Sequence, residues 1–196
     1  MLSRHLVVFA RLPRLGTGKR RLAADIGAVE ALRFQRETLA STIRKLGKDP
    51  RWRTWLAVTP QRGGPWPWRL PIIIQPHGDL GRRMTLIARS LPTGPVLIVG
   101  SDIPSITPGH IATAFQALGH HDAVFGPAED GGFWLVGLKR RPRFIAPFDN
   151  VRWSTPHALA DTLSNLMGKR IALLETLPDI DDGAAMDRYH RRTHRQ

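Results

Sequence analysis

Two residues beyond the apolar run VLIVG (96–100) stands a carboxylate, Asp102, in the stretch VLIVGSDIPSI. In open α/β sheets ligands bind beyond the carboxyl ends of the strands. An aspartate just past a strand therefore falls on the ligand-binding edge, where it can meet a cation; the plainer alternative is a loop or helix cap. A second chemical stretch, ARLPRLGTGKRRL (10–22), follows the first apolar run directly. Gly16 and Gly18 let its backbone fold tightly and approach a ligand, and Lys19, Arg20 and Arg21 bring three cations to the same edge. A glycine-containing loop with a basic end suits a phosphate chain. It lacks the GK[ST] ending of a Walker loop and does not match G-x-G-x-x-G, so a basic surface loop stays open as the other reading.

Two acidic turns complete the set. GPAEDGGFWLVGL (126–138) carries Glu129 and Asp130 ahead of two glycines, and LPDIDDGAAMDRY (177–189) carries Asp179, Asp181 and Asp182. Mg²⁺ or Mn²⁺ needs one or two protein carboxylates and takes its other ligands from substrate phosphates and water. Carboxylates at the ends of separate strands meet that need. Capping or Asx-turn chemistry is the structural alternative for each turn, and the preferred one for Asp182. The eight histidines show no metal-ligand spacing, and no Ser-His-Asp arrangement is evident.

The elements that must position these groups are legible as apolar runs. HLVVFA (5–10), TWLAVT (54–59), PIIIQ (71–75), VLIVG (96–100), DAVFG (122–126) and FWLVGL (133–138) are continuous rather than alternating, as in strands covered on both faces. Helical spacing is seen over 28–47, which ends at a glycine. It recurs over 107–119, with Thr107 as N-cap and Pro108 at the first helical position, and over 154–168, with Thr155 and Pro156 in the same places. A further apolar run, RIALLETL (170–177), precedes the last acidic turn and a short helix to about Tyr189. Strands alternating with helices imply an α/β sandwich of three layers around a mainly parallel, mixed sheet. PQRGGPWPWRLP (60–71) reads as a surface loop whose tryptophans patch the edge of the core, with base stacking as the alternative.

Composition sets the limits. A chain of 196 residues with 42% apolar and 23% charged residues fits one core-bearing domain, placed at 1–190, with a basic tail at 191–196. No apolar run is long enough for a membrane span, and the N-terminal apolar stretch is too short for a signal peptide. Without cysteine there is no disulfide framework or thiolate site; a cytoplasmic location is the default expectation. The net charge of +13 points to an anionic partner, although part of it sits in the solvated tail.

In order along the chain, FARLPRLGTGKRRLA, QPHGDLGRRM (75–84), VLIVGSDIPSITPGHI, DAVFGPAEDGGFWLVGL, FDNVRWST (148–155) and LPDIDDGAAMDRY resemble successive motifs of the DUF2064 proteins. These are bacterial members of the GT-A glycosyltransferase-like superfamily, which also holds nucleotidylyltransferases of molybdenum-cofactor and coenzyme F420 biosynthesis. The resemblance covers nearly the whole chain and implies a GT-A, Rossmann-like nucleotide-diphospho-sugar transferase fold. It implies that Lys19 and Arg21, in the position of the family's K-x-R-L, hold the phosphates of a nucleotide. By the same resemblance Asp102 binds the metal, Asp181 supplies a further metal ligand, Asp130 lies near the acceptor, and Gly78 and Asp79 form the G-D-L-G turn on the nucleotide side. Departures from the family pattern fall at Ile103 and Ser105, where one nearby acid is missing, and at Phe133 and Trp134, where two tyrosine hydroxyls are lost. The DIDDGAAMDRY stretch also lacks a proline and an acid.

Three functions compete on these residues. The first is a metal-dependent transferase using a nucleotide-diphosphate sugar and a small-molecule acceptor, with Asp102, Asp130 and Lys19 as the catalytic groups and Asp130 or Glu129 as general base. The second is a nucleotidylyltransferase joining a nucleoside triphosphate to a phosphorylated small molecule, with release of pyrophosphate. The third is a non-enzymatic nucleic-acid binder. It explains the charge but not the ordered acids on the ligand edge, and the chain carries no RNA-module signature, so no specific nucleic-acid partner is expected.

Overall fold

The computed structural model describes residues 3–60, 66 and 68–193. Its first element, β1 (His5–Arg11), leads through the glycine loop into α1 (Arg20–Ile26) and α2 (Ala28–Leu46), then β2 (Arg53–Thr59) and β3 (Ile72–Ile74). Next come α3 (Leu80–Ser90), β4 (Val96–Gly100), α4 (Pro108–Ala117), β5 (Ala123–Pro127) and β6 (Phe133–Leu138). The chain closes with α5 (Ala158–Ser164), β7 (Ile171–Leu173) and α6 (Gly183–Thr193).

The strands form one seven-stranded sheet in the order β3-β2-β1-β4-β6-β5-β7. All neighbours pair parallel except β6, which runs antiparallel between β4 and β5. Because side chains alternate across a strand, β1 sends Leu6 and Val8 to one face and Val7 to the other. The first face packs against α2 and α4 through Leu39, Ile43, Ile111 and Phe115. The second packs against α3 and α5 through Met84, Ile87 and Leu163. Coverage on both faces explains why the strand sequences are continuously apolar. A third, smaller cluster of Leu22, Phe34, Ile180 and Ala185 joins α1, α2 and α6.

Several expected boundaries shift. The glycine loop ends earlier than its sequence implies, because α1 starts at Arg20. α3 was visible only as a motif, yet Asp79 caps it, its carboxylate accepting the Arg82 N–H at 2.7 Å. Thr107 caps α4 as its sequence predicts, and His110 returns a bond to the Thr107 backbone. The Thr155–Pro156 signature instead makes a turn, with helix only from Ala158; Thr155 Oγ1 donates to Arg152 O and accepts from His157 N. Of the run 170–177 only Ile171–Leu173 forms a strand, and Leu177 adds a single parallel bridge to Ala128. α6 continues to Thr193, so the expected tail begins as helix; residues 194–196 lie outside the described residues. In the 60–71 loop, Trp66 and Trp68 pack against the core, as the patching reading expects, while 61–65 and 67 lie outside the described residues. Among the described residues no helix is long and apolar enough to cross a membrane.

Candidate active site

β1, β2, β4 and β5 all end at one edge of the sheet, and β6 starts there. The loops after β1 and β4, the β5–β6 turn and the extended segment after β7 therefore converge.

At their meeting point lies Lys19. Its side chain is 4% exposed, and its Nζ stands 2.9 Å from Asp181 Oδ1 and 3.5 Å from both Asp102 Oδ2 and Asp179 Oδ1. The residue occupies the left-handed region (φ 41°, ψ 47°), which costs a non-glycine residue about 1 kcal/mol or more. Ion pairing with three carboxylates offsets that cost. Burial alone would lower the Lys19 pKa, but the charges of Asp102, Asp179 and Asp181 outweigh it and hold the ammonium well above its usual range. Arg21 reaches the other oxygen of Asp181 at 2.8 Å. Burial would raise Asp181, yet Lys19 and Arg21 together hold it below the usual carboxylate range. Asp179 is pushed up to about 6, first by burial and then by the charges of Asp181, Asp102 and Asp130, against the opposing pull of Lys19.

Beside this cluster opens a cleft of about 250 Å³ that Asp102, Asp130 and Asp179 share. Leu80, Phe133, Trp153 and Thr155 furnish its other walls. Asp130 is held by an Asx turn, its Oδ1 accepting the Gly132 N–H at 2.9 Å. Gly131 has φ +83°, and a Cβ there would lie 2.2 Å from Pro156 O, so the turn docks closely on the segment before α5. Trp134, where the family motif has a tyrosine, is buried, and its indole N–H donates to Glu175 O. Ile103 is buried in the core beside Asp102.

Of the residues the sequence singled out, Lys19, Arg21, Asp102 and Asp181 are joined directly by ion pairs, and Asp130 faces the same cleft as Asp102. Gly16, Gly18 and Arg20 line a separate hollow of about 230 Å³ between the loop and α2, with Gln35 on its wall. Gly78 and Asp79 do not line the cleft; the Asp79 carboxylate is spent on capping α3, and it is Leu80 that reaches the site. Asp182 caps α6, accepting the Ala185 N–H at 2.7 Å. In the sequence Asp179 is simply one acid of a turn. Its two-residue spacing from Asp181 in extended chain puts both on one face, which is the signal that could have marked it.

Residues 42–155 match the family described as "Uncharacterized protein conserved in bacteria (DUF2064)". The chain belongs to the DUF2064 family. That match spans Asp102 and Asp130 but neither Lys19 nor the acids after β7. No curated protein matches the chain. Among solved structures it is similar to a candidate nucleotide-diphospho-sugar transferase of Desulfovibrio desulfuricans G20, at 23% identity and TM-score 0.89 over 98% of this chain and 88% of that one. It also resembles a CMP:2-keto-3-deoxy-manno-octonic acid synthetase complexed with CTP, at 12% identity and TM-score 0.61 over 98% and 99% of the two chains. A third likeness is to Rv0371c of Mycobacterium tuberculosis H37Rv in complex with manganese, at 14% identity and TM-score 0.51 over 96% and 97%. The DUF2064 chain thus has the mixed α/β, mainly parallel fold of the nucleotide-diphospho-sugar transferases.

Proposed function

We propose that this protein is a metal-dependent transferase that takes a nucleotide-diphosphate sugar as donor. The observation that carries the reading is the gathering of Asp102, Asp179 and Asp181 around the buried Lys19 ammonium, beside a cleft that Asp130 also lines.

A metal fits the chemistry of this donor set. Four carboxylates stand against the two cations Lys19 and Arg21, and the ammonium marks the point where positive charge is wanted. Among the described residues no three acid or imidazole side chains are placed to hold a metal ion between them. Two carboxylates, Asp102 and Asp181, suffice for Mg²⁺ or Mn²⁺ when phosphates and water complete the shell, and one structural relative holds manganese. When bound, the cation supplies charge neutralisation for a departing diphosphate.

Lys19 and Arg21 act on the same charge from the protein side. Both can turn from Asp181 toward phosphate oxygens, where charge-assisted hydrogen bonds are strongest. Phe133 and Trp153 present apolar walls beside Asp102 and Asp130 against which a sugar ring could pack. Asp130, fixed by its turn, accepts the proton of an acceptor hydroxyl as general base.

A second reading rests on the cations Lys19 and Arg21, with Arg20 beside them in the neighbouring hollow, and on the CTP bound by a relative of the same fold. In it a nucleoside triphosphate is attacked at the α-phosphorus by a phosphorylated acceptor. Calorimetric titration with nucleotide sugars and nucleoside triphosphates, with and without Mn²⁺, separates the two. Metal-dependent binding of a nucleotide sugar that disappears in Asp102→Ala supports the first reading, and preference for a triphosphate selects the second. Binding that Mn²⁺ and Asp102→Ala leave unchanged overturns both.

A further inference from the structure

The edge of the sheet opposite Asp102 carries its own charge cluster. β6 ends at Leu138, which pairs with Val96 and Ala123 at the starts of β4 and β5. The sequence that follows, KRRPR (139–143), therefore leaves the sheet at the far edge from the candidate active site.

Its second residue is turned inward. Arg140 has φ +64°, and its guanidinium donates to the carbonyls of Gly94 (2.6 Å), Ala88 (2.5 Å), Leu91 (3.2 Å) and Pro92. With Arg140 pinned to four carbonyls at the end of α3, the loop is held in place and the cations on either side are displayed. Lys139, Arg141 and Arg143, joined by Lys169 from the turn after α5, surround a cleft of about 160 Å³ floored by Leu138 and Ile145.

Among the described residues these four side chains make no ion pair or hydrogen bond; other exposed cations such as Arg36 and Arg44 are unpaired too, but these four share one hollow. One acid, Asp122, lies on the cleft wall, and its Oδ2 already accepts the Arg170 N–H at 3.0 Å. Four like charges around one hollow repel one another unless an anion sits between them.

We infer that this cleft is a second anion site, built for a phosphate group. Arginine forks match phosphate oxygens two at a time, and Lys139 and Lys169 add point charges. At about 160 Å³ the hollow is smaller than the roughly 300–1,000 Å³ that drug-sized ligands occupy. It suits a phosphate or pyrophosphate, or the phosphodiester of a lipid headgroup, rather than a whole nucleotide. The site is independent of the transferase chemistry, since no residue of it touches the Lys19 cluster.

The test uses the full chain, inorganic pyrophosphate by calorimetry, and sedimentation with vesicles of phosphatidylglycerol or of phosphatidylcholine. Two proteins are compared, Lys19→Met, which removes the phosphate-facing ammonium of the candidate active site, and Arg141→Gln/Arg143→Gln. Loss of two charge-assisted contacts weakens binding about tenfold or more. Pyrophosphate binding that survives Lys19→Met but falls that far in the double variant identifies a soluble-anion site. Binding to phosphatidylglycerol alone, lost in the double variant, identifies a headgroup site. Pyrophosphate and vesicle binding both indifferent to the two arginines, or lost only with Lys19, overturn the inference. The replaced arginines are exposed, so thermal unfolding should not change; should it fall, Lys169→Gln on the opposite wall repeats the comparison.

Discussion

The ammonium of Lys19 lies 3.5 Å from Oδ2 of Asp102, so the loop after β1 and the loop after β4 are tied together by an ion pair on the ligand edge. The same ammonium meets Asp181 and Asp179. It thereby holds the place of a cation among acids, so in the proposed metal-dependent reaction a metal arriving without nucleotide would have to displace it.

That competition gives the Lys19→Met variant opposite effects on two ligands. Methionine keeps the buried aliphatic stem and removes the charge, so Mn²⁺ alone should bind about tenfold or more tightly. A nucleotide with Mn²⁺ should bind about tenfold or more weakly, because a charge-assisted contact to phosphate is lost. Calorimetry of both ligands on both proteins measures the pair of changes. Unchanged or weaker Mn²⁺ binding would show that Lys19 does not compete with the metal.

Asp130→Asn separates proton transfer from binding. The amide keeps an oxygen for the Gly132 N–H, so the turn should persist. As general base in the proposed transfer, Asp130 contributes about 10²–10⁴-fold to turnover. The variant should lose that much in kcat while its metal-dependent nucleotide affinity is preserved. A fall in affinity with kcat retained would assign Asp130 to binding instead.

How much of this was legible beforehand depends on what kind of signal each part carries. β4, with Asp102 beyond it, was readable because a strand covered on both faces is a continuous apolar run and because ligands gather at strand ends. α1 was not, since its N-cap Lys19 lies in the left-handed region and makes no capping side-chain bond, leaving no sequence mark. α3 did carry one, the Asp79 cap followed by Leu80, Met84 and Ile87 at helical spacing, although the same residues belong to a motif that suggests ligand binding. The pairing of Lys19 with Asp179 and Asp181 spans nearly the whole chain, and no local pattern encodes a contact of that range. Arg140 was opaque for the same reason. Its role depends on four carbonyls contributed by a different segment.

Asp79→Ala distinguishes a cap from a ligand contact. Loss of an N-cap costs about 1 kcal/mol, which for a chain of this size lowers Tm by about 2–4 °C. Nucleotide affinity should be unaffected, because the Asp79 carboxylate faces the Arg82 N–H rather than the cleft. Thermal unfolding and calorimetry on the same preparation check both halves. A large loss of nucleotide affinity would restore Asp79 to the binding role its motif implied.

Gly131→Ala should damage stability and site together, and Gly16→Ala shows how much of that is backbone strain alone. Both glycines have positive φ, +83° and +74°, so alanine at either costs about 1 kcal/mol in conformation. At Gly16 nothing lies within 4 Å of the added methyl. At Gly131 the methyl would sit 2.2 Å from Pro156 O, adding about 1–3 kcal/mol of overpacking. Relief of that clash means moving the Thr155–Ala158 segment, which lines the cleft and is tied back by the Leu159 N–H to Gly131 O at 3.0 Å. The Gly131 variant should therefore be about 2–4 kcal/mol less stable in denaturant unfolding, and weaker for ligands of the cleft, while the Gly16 variant loses about 1 kcal/mol. Equal losses in the two would mean that the turn carrying Asp130 is not held by its contact with Pro156.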